Sequence, residues 1–279
     1  MNPLLEAEHA YLGATIEHDE DDVAHVLRYG DGLEEATALA EGAGLFDAGG
    51  IATWYLHGGP AQSFAETAFA GRRLEVGECD FEAALLGDGS IASVPLLART
   101  GTSEYVSWDG GARADVLDAW LGFLSSIEQD GVAPFAGVTF EDAGEHLAAL
   151  GLWGPAARTV LSDYLEDGVG LPAPGHVTDL HLDRMSALVV APPVPAGDLL
   201  LALVAPRHLV VLWRSLLSFP VVMPVGEQAR AAHAHKSLPW LSDTAQQTDK
   251  LWIKAKALED AGLVRGTPDY VGARGLAAL

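Results

Sequence analysis

Two histidine pairs and one acidic run are the groups in this chain best suited to chemistry by residue type and spacing. His176-Val177-Thr178-Asp179-Leu180-His181 and His233-Ala234-His235 carry imidazoles, which ligate a metal when three or four donors converge. On a strand, positions 233 and 235 would share a face, because strand side chains alternate with a period of two. No third ligand stands at a useful spacing, so these histidines read as edge or surface residues. Glu17-His18-Asp19-Glu20-Asp21-Asp22 offers carboxylates to a hard cation. It lacks the glycine and the spacing of a calcium loop and reads as a solvated acidic loop. Gly154-Pro155 predicts a helix start, since proline fits a first turn where its missing N–H is not needed. Such a terminus could receive an anion, or it could be purely structural. Trp108, Trp153, Trp213, Trp240 and Trp252 could line a pocket for a flat ligand or fill the core. No serine-nucleophile elbow, phosphate-binding loop or dinucleotide glycine fingerprint is present.

The elements that must position such groups are legible from the pattern of apolar residues. The chain has 279 residues, 49% of them hydrophobic, which is enough for one large domain or two intimate ones. Helices are predicted over residues 3–12, 34–42, 60–68, 114–128, 154–165 and 207–217. Strands are predicted over 51–56, 105–108, 138–142, 148–152 and 199–204. Residues 81–86 and 90–98 read as a hairpin across Gly87-Asp88-Gly89, and 177–182 with 186–190 as another. The recurrence of strand–helix–strand–strand units predicts an α+β protein of two similar halves, divided near residue 150.

Composition narrows the function. There are 39 acidic and 16 basic residues, a formal charge of −23, and such a surface repels nucleic-acid phosphates. No apolar run reaches the ~18 residues a membrane span requires. The start, Met1-Asn2-Pro3 with Glu6 and Glu8, has no basic segment of a secretory signal, so cytoplasmic residence is expected. The one cysteine, Cys79, excludes an internal disulfide and a cysteine metal cage. All four lysines, at 236, 250, 254 and 256, fall near one another and could form an anion patch or a solvated helix face.

Six phrases then occur in order. They are Tyr29-Gly30-Asp31-Gly32-Leu33-Glu34-Glu35 with Ala43-Gly44-Leu45-Phe46-Asp47; Gly89-Ser90-Ile91; Leu152-Trp153-Gly154-Pro155-Ala156; Leu212-Trp213; Gly226-x-x-Ala229-Arg230; and Asp269-Tyr270-Val271-Gly272-Ala273-Arg274-Gly275-Leu276. Together they resemble the folate-dependent aminomethyltransferase family, comprising the glycine-cleavage T-protein and its demethylase relatives. The resemblance covers nearly the whole chain as a single folate-binding-type domain. It implies a GcvT-like α+β fold, two related halves around a central channel, and tetrahydrofolate as the cofactor. The chain stops where that family's C-terminal β-barrel would begin.

The departures fall on polar positions. The family's Gly-Gly-Ile-x-Asp-Asp-Leu phrase becomes Gly89-Ser90-Ile91-Ala92-Ser93-Val94-Pro95, with Ser93 and Val94 at the two Asp positions. A serine hydrogen-bonds but holds no charge at pH 7. The carboxylate that the family uses on the pterin edge corresponds here to Leu201 or Ala202, with Asp198 the nearest acid. Ala234 and Lys236 replace an Arg and a Glu. Among the polar positions, Asp47 and Arg230 persist. The resemblance therefore implies Ser93 and Asp198 as candidate catalytic groups, and Asp47, Tyr105, Trp153 and Arg230 as candidate cofactor-binding groups. Three functions follow from it. The first is a tetrahydrofolate-dependent methyl or aminomethyl transferase acting on a small non-glycine methylated substrate. The second is a non-catalytic subunit or scaffold docked on a partner protein in a one-carbon or amine-metabolising complex. The third is a carrier or assembly factor for another flat ligand.

Overall fold

Residues 148–154 and 198–204 are apolar on both faces, and the computed structural model pairs them at the centre of a six-stranded sheet. The structure describes residues 1–279 except 20, 21, 50, 112, 129, 196, 248, 249 and 279, and the side chains of 145 and 247. The chain divides into two units, each assembled from two segments: residues 1–50 with 144–238, and residues 51–143 with 239–279. The expected division near residue 150 falls inside the strand Ala148–Gly154.

In the first unit the sheet runs His176–Leu182, Met185–Ala191, Asp198–Val204, Ala148–Gly154, Ala43–Asp47, Val222–Pro224. Every pairing is antiparallel except that between Val222–Pro224 and Ala43–Asp47. Leu45, Leu150, Leu152, Leu200, Ala202 and Val204 pack one sheet face against Leu209, Leu212, Trp213 and Leu216. Those four recur at i, i+3, i+4 and i+7 along the helix Pro206–Leu216, which is why that helix forms and docks. Each such buried side chain contributes about 1.5–3 kcal/mol. The helix predicted over 154–165 is shorter, Ala157–Ser162. Gly154 still belongs to the sheet, and the Ala156 amide donates to the Gly42 carbonyl at 3.0 Å. That amide is spent inside the fold and is not open to an anion.

In the second unit a five-stranded antiparallel sheet runs Thr139–Asp142, Ala52–His57, Glu104–Asp109, Leu96–Gly101, Cys79–Phe81. The helices Ala61–Ala68 and Ala114–Ser125 bury Phe64, Ala65, Leu117, Leu121 and Leu124 against it. The predicted 81–98 hairpin is split. Ala84–Leu85 pairs with Ile91–Ser93 in a separate four-stranded sheet, while Cys79–Phe81 pairs with Leu96–Gly101. Pro95 stands between the two parts, where it cannot donate to a ladder. Two phrases of the resemblance meet here. A Cβ on Gly89 would lie 2.5 Å from the Leu276 nitrogen, and one on Gly275 would lie 2.2 Å from the Asp88 carbonyl carbon. Only glycine lets these backbones close on each other, and the contact fixes the turn that leads into Ser93.

The histidines at 233 and 235 sit on the helix Glu227–Ser237, not on a strand. The alanine-rich sequence favours the helix, and two residues then turn through about 200°, so they do not share a face. Of the four lysines, Lys250, Lys254 and Lys256 are paired with Asp88, Asp243 and Asp260. Glu17 and His18 lie in the strand Ala14–His18, and Asp19 accepts from the Val23 amide at 2.8 Å. Glu20 and Asp21 fall outside the described residues. No helix among the described residues is long and apolar enough to cross a membrane.

Glu35 is the main polar tie of the first unit. It is 1% exposed, and its carboxylate accepts the Tyr29 amide at 2.8 Å and the Gly226 amide at 2.6 Å. One side chain thus joins the strand Ala24–Tyr29, the helix Leu33–Glu41 and the entry to the helix Glu227–Ser237. Removing it leaves two buried N–H groups unpaired, at about 1–3 kcal/mol each. Urea unfolding should show Glu35→Ala losing about 2–5 kcal/mol, and Glu35→Gln losing less because one amide keeps its acceptor. A loss below about 1 kcal/mol for the alanine variant contradicts this role.

Candidate functional site

The strand Glu104–Asp109 ends on an acid followed by Gly110-Gly111. Asp109 is 3% exposed, and its Oδ1 accepts the Gly111 amide at 2.9 Å. The Ser93 hydroxyl donates to the same carboxyl from the neighbouring strand Ile91–Ser93. The other oxygen, Oδ2, is buried with no hydrogen-bond partner among the described residues. Burial pushes this carboxyl above the usual carboxylate range. The hydrogen bonds from Ser93 and Gly111 oppose the shift and do not cancel it, and nearby Asp115 adds to it. Sequence reasoning missed Asp109. The signal was an acid at the end of an apolar strand, immediately before a glycine pair.

Ser93 is therefore buried beside an acid, although it is not one itself. Tyr105 lies on the same strand as Asp109 but is 2% exposed among Phe64, Leu97 and Leu117, with the Arg99 guanidinium 5.6 Å from its ring centre. The structure does not bring Tyr105 to the Ser93–Asp109 pair.

The other four predicted residues lie in the first unit. Phe46 and Trp153 share one face of its sheet, because Phe46 pairs with Gly151 and Trp153 with Gly44. Gly151 must lack a side chain here, since a Cβ would lie 1.9 Å from the Phe46 ring. The helix Glu227–Ser237 crosses this face. Its Arg230 holds a guanidinium 5.1 Å from the Phe46 ring centre, and His233, one turn on, meets Trp153 edge-to-face at 4.7 Å. Trp153 Nε1 and His233 Nε2 are buried without hydrogen-bond partners among the described residues. Burial lowers the pKa of both Arg230 and His233. This cluster offers donors over flat apolar rings.

Asp47 carries a different load. Its Oδ2 accepts the Asn2 amide at 2.6 Å and faces His9 Nε2 at 3.2 Å, while its Oδ1 accepts the Gly49 amide at 2.7 Å. His9 Nδ1 in turn meets the Tyr29 hydroxyl at 2.6 Å. Asp198 is drawn to Arg158, 3.1 Å away, at the end of its strand. Leu201 and Ala202 are 5% and 3% exposed and purely apolar. Among the described residues no three His, Cys, Asp or Glu side chains stand together as a metal site.

The family model described as the GCVT N-terminal domain matches residues 24–184. An aminomethyltransferase of Chlorobium limicola is 25% identical over 143 residues, covering 50% of this chain and 38% of that protein. One from Chlorobium luteolum is 24% identical over 211 residues, covering 73% of this chain and 56% of that protein. The matches thus span little more than half the length of these relatives at most. The crystal structure of glycine cleavage system aminomethyltransferase T from Bartonella henselae superposes on 99% of this chain and 73% of its own with a TM-score of 0.77. At 18% identity that likeness is one of fold. The chain belongs to the GCVT N-terminal domain family.

The Asp47 network yields a pH prediction. Burial pushes the Asp47 carboxyl up, but hydrogen bonds from His9, the Asn2 amide and the Gly49 amide outweigh it and hold it below its usual range. Its stabilising contribution is present above the unfolded carboxyl pKa of about 3.9 and is lost as pH falls through the lower folded value. Asp47→Asn should cost about 1–3 kcal/mol at neutral pH. The gap to the parent should narrow in urea titrations at increasingly acid pH. A gap that widens on acidification contradicts the assignment.

Proposed function

We propose that this chain, as a member of that family, binds tetrahydrofolate and serves the transfer of a methyl or aminomethyl group from a methylated substrate other than glycine. The observation that carries the reading is Asp109. An acid stands against Ser93, so the loss of both acids at positions 93 and 94 does not empty the neighbourhood of a carboxyl. Taken unit by unit, the polar groups suit parts of such a cofactor. The second unit offers a buried carboxyl oxygen with no partner. The first unit offers Trp153 Nε1, His233 Nε2 and the Arg230 guanidinium, which suit carbonyl and carboxylate oxygens.

Tetrahydrofolate, when bound, supplies ring nitrogens that carry the one-carbon unit. The roles of this chain's residues are to hold and orient. Asp109 presents a buried carboxyl beside Ser93. Arg230 and Trp153 present donors and flat surface. Asp47 secures the start of the chain, through the Asn2 amide and His9, to the sheet strand that carries Phe46. Asp198 and Tyr105 act through neighbours, the first by fixing Arg158 and the second by anchoring the strand Glu104–Asp109 in the core of its unit.

A second reading, a non-catalytic subunit serving a partner protein, draws on one observation. Where the resemblance calls for an acid on the pterin edge, the strand Asp198–Val204 buries Leu201 and Ala202, and Asp198 is engaged by Arg158. Ring N–H groups facing those side chains would go unpaired, at about 1–3 kcal/mol each. Calorimetric titration with reduced tetrahydrofolate under anaerobic conditions separates the two readings. Binding with a Kd of about 1–100 μM is expected, equivalent to roughly 5.5–8 kcal/mol. No binding at millimolar cofactor overturns the transferase reading for this chain and leaves the subunit reading.

A further inference from the structure

His25, on the strand Ala24–Tyr29 of the first unit, has a carboxylate at each ring nitrogen. Nδ1 lies 2.9 Å from Glu227 Oε1, in the first turn of the helix Glu227–Ser237, and Nε2 lies 3.1 Å from Asp19 Oδ2. A carboxylate only accepts, so both contacts are hydrogen bonds only when both ring nitrogens carry hydrogen, and that is the imidazolium. Glu17 stands opposite His25 in the strand pair and adds a third acid, while the Met1 amine, which donates to the Ala24 carbonyl at 2.8 Å, brings a positive charge. The hydrogen bonds to Glu227 and Asp19 prevail over burial and the Met1 amine and raise the His25 pKa. One turn along the same helix, the half-buried Arg230 guanidinium lies over Phe46 and makes no hydrogen bond or ion pair among the described residues. Two acids act on it, Glu227 and Asp47, and Asp47 is already engaged by the Asn2 and Gly49 amides and His9.

We propose that His25 is a proton-dependent latch: as imidazolium it bridges Asp19 and Glu227 and holds Glu227 away from Arg230, and on losing its proton it frees Glu227 to pair with the Arg230 guanidinium. Neutral imidazole has one N–H and can serve one of the two acids. Asp19 is fixed in its turn, where Oδ1 also accepts the Val23 amide at 2.8 Å, so the remaining hydrogen stays on Nε2. The Nδ1 lone pair then repels Glu227. That side chain is longer, and residues three apart on a helix are neighbours, so Arg230 is within its reach. The helix itself cannot close further on the strand, since a Cβ on Gly226 would already lie 2.3 Å from the Leu27 carbonyl oxygen, and Glu35 ties the Gly226 amide. The proton therefore moves the Glu227 side chain and leaves the helix in place. The latch stands without the folate reading. Its consequence rests on that reading: a released Glu227 competes with ligand oxygens for Arg230.

The test is NMR of the ligand-free full chain, following the His25 ring ¹⁵N and the Arg230 guanidinium ¹³C resonances as pH rises from below to well above the ordinary histidine value of about 6.5. At the acid end both ring nitrogens should be protonated. The proton should leave Nδ1 with a midpoint above that ordinary value, and the Arg230 resonance should move with the same midpoint. Glu227→Gln removes the carboxylate that moves, so it should lower the His25 midpoint and leave the Arg230 resonance still. His25→Ala should hold the Arg230 resonance at its alkaline position throughout. Its loss of resistance to urea should be largest at the acid end and fade as pH rises, because a raised folded-state pKa stabilises below the unfolded value and ceases to as pH passes the folded one. In the parent chain, a His25 that titrates at or below the ordinary value, that keeps its neutral hydrogen on Nδ1, or that titrates without moving the Arg230 resonance overturns the proposal. Because no ligand enters the experiment, it decides the latch whether or not the chain binds folate.

Discussion

A buried carboxyl must either collect N–H donors or give up its charge, and this acidic chain is organised around that constraint. Glu35 and Asp47 take the first course. Each accepts two backbone amides, and Asp47 also faces His9, so segments far apart in sequence are tied to one sheet. Glu82 and Asp109 are supplied less fully: burial raises the pKa of both, and among the described residues each keeps one oxygen without a partner. The first pair builds the first unit.

The architecture explains how a family frame survives the loss of its acids at positions 93 and 94. The strand Ile91–Ser93 is held from one side by Ala84–Leu85 and from the other by Lys250–Ile253, while Gly89 closes on Gly275 and Leu276. Ser93 thereby stands at the end of the strand Glu104–Asp109, beside the buried Asp109 carboxyl. In the first unit the aromatic sheet face stays flat because Gly44 and Gly151 flank Phe46 and Trp153, which lets Arg230 and His233 lie over the rings.

Much of the fold was legible in sequence. Apolar runs marked the strands Ala148–Gly154 and Asp198–Val204, and the i, i+3, i+4, i+7 spacing marked the helix Pro206–Leu216. The interleaving of the units was not legible, because Ala43–Asp47 pairs with strands more than 100 residues later and no local signal announces such partners. His233 and His235 would share a face only on a strand, and the alanines around them favour the helix they occupy. The candidate site was legible in part. Asp47, Trp153 and Arg230 fall in one unit, with Arg230 over Phe46 and Trp153 against His233, but Tyr105 packs in a core. Asp109 was missed because attention to positions 93 and 94 tracks a motif along one strand, whereas the carboxyl arrives from the end of another.

The most direct test of the central claim is a crystal structure of the chain with 5-methyltetrahydrofolate. The account predicts the ring beside the Asp109 carboxyl and Ser93. A ring seated away from both would contradict it.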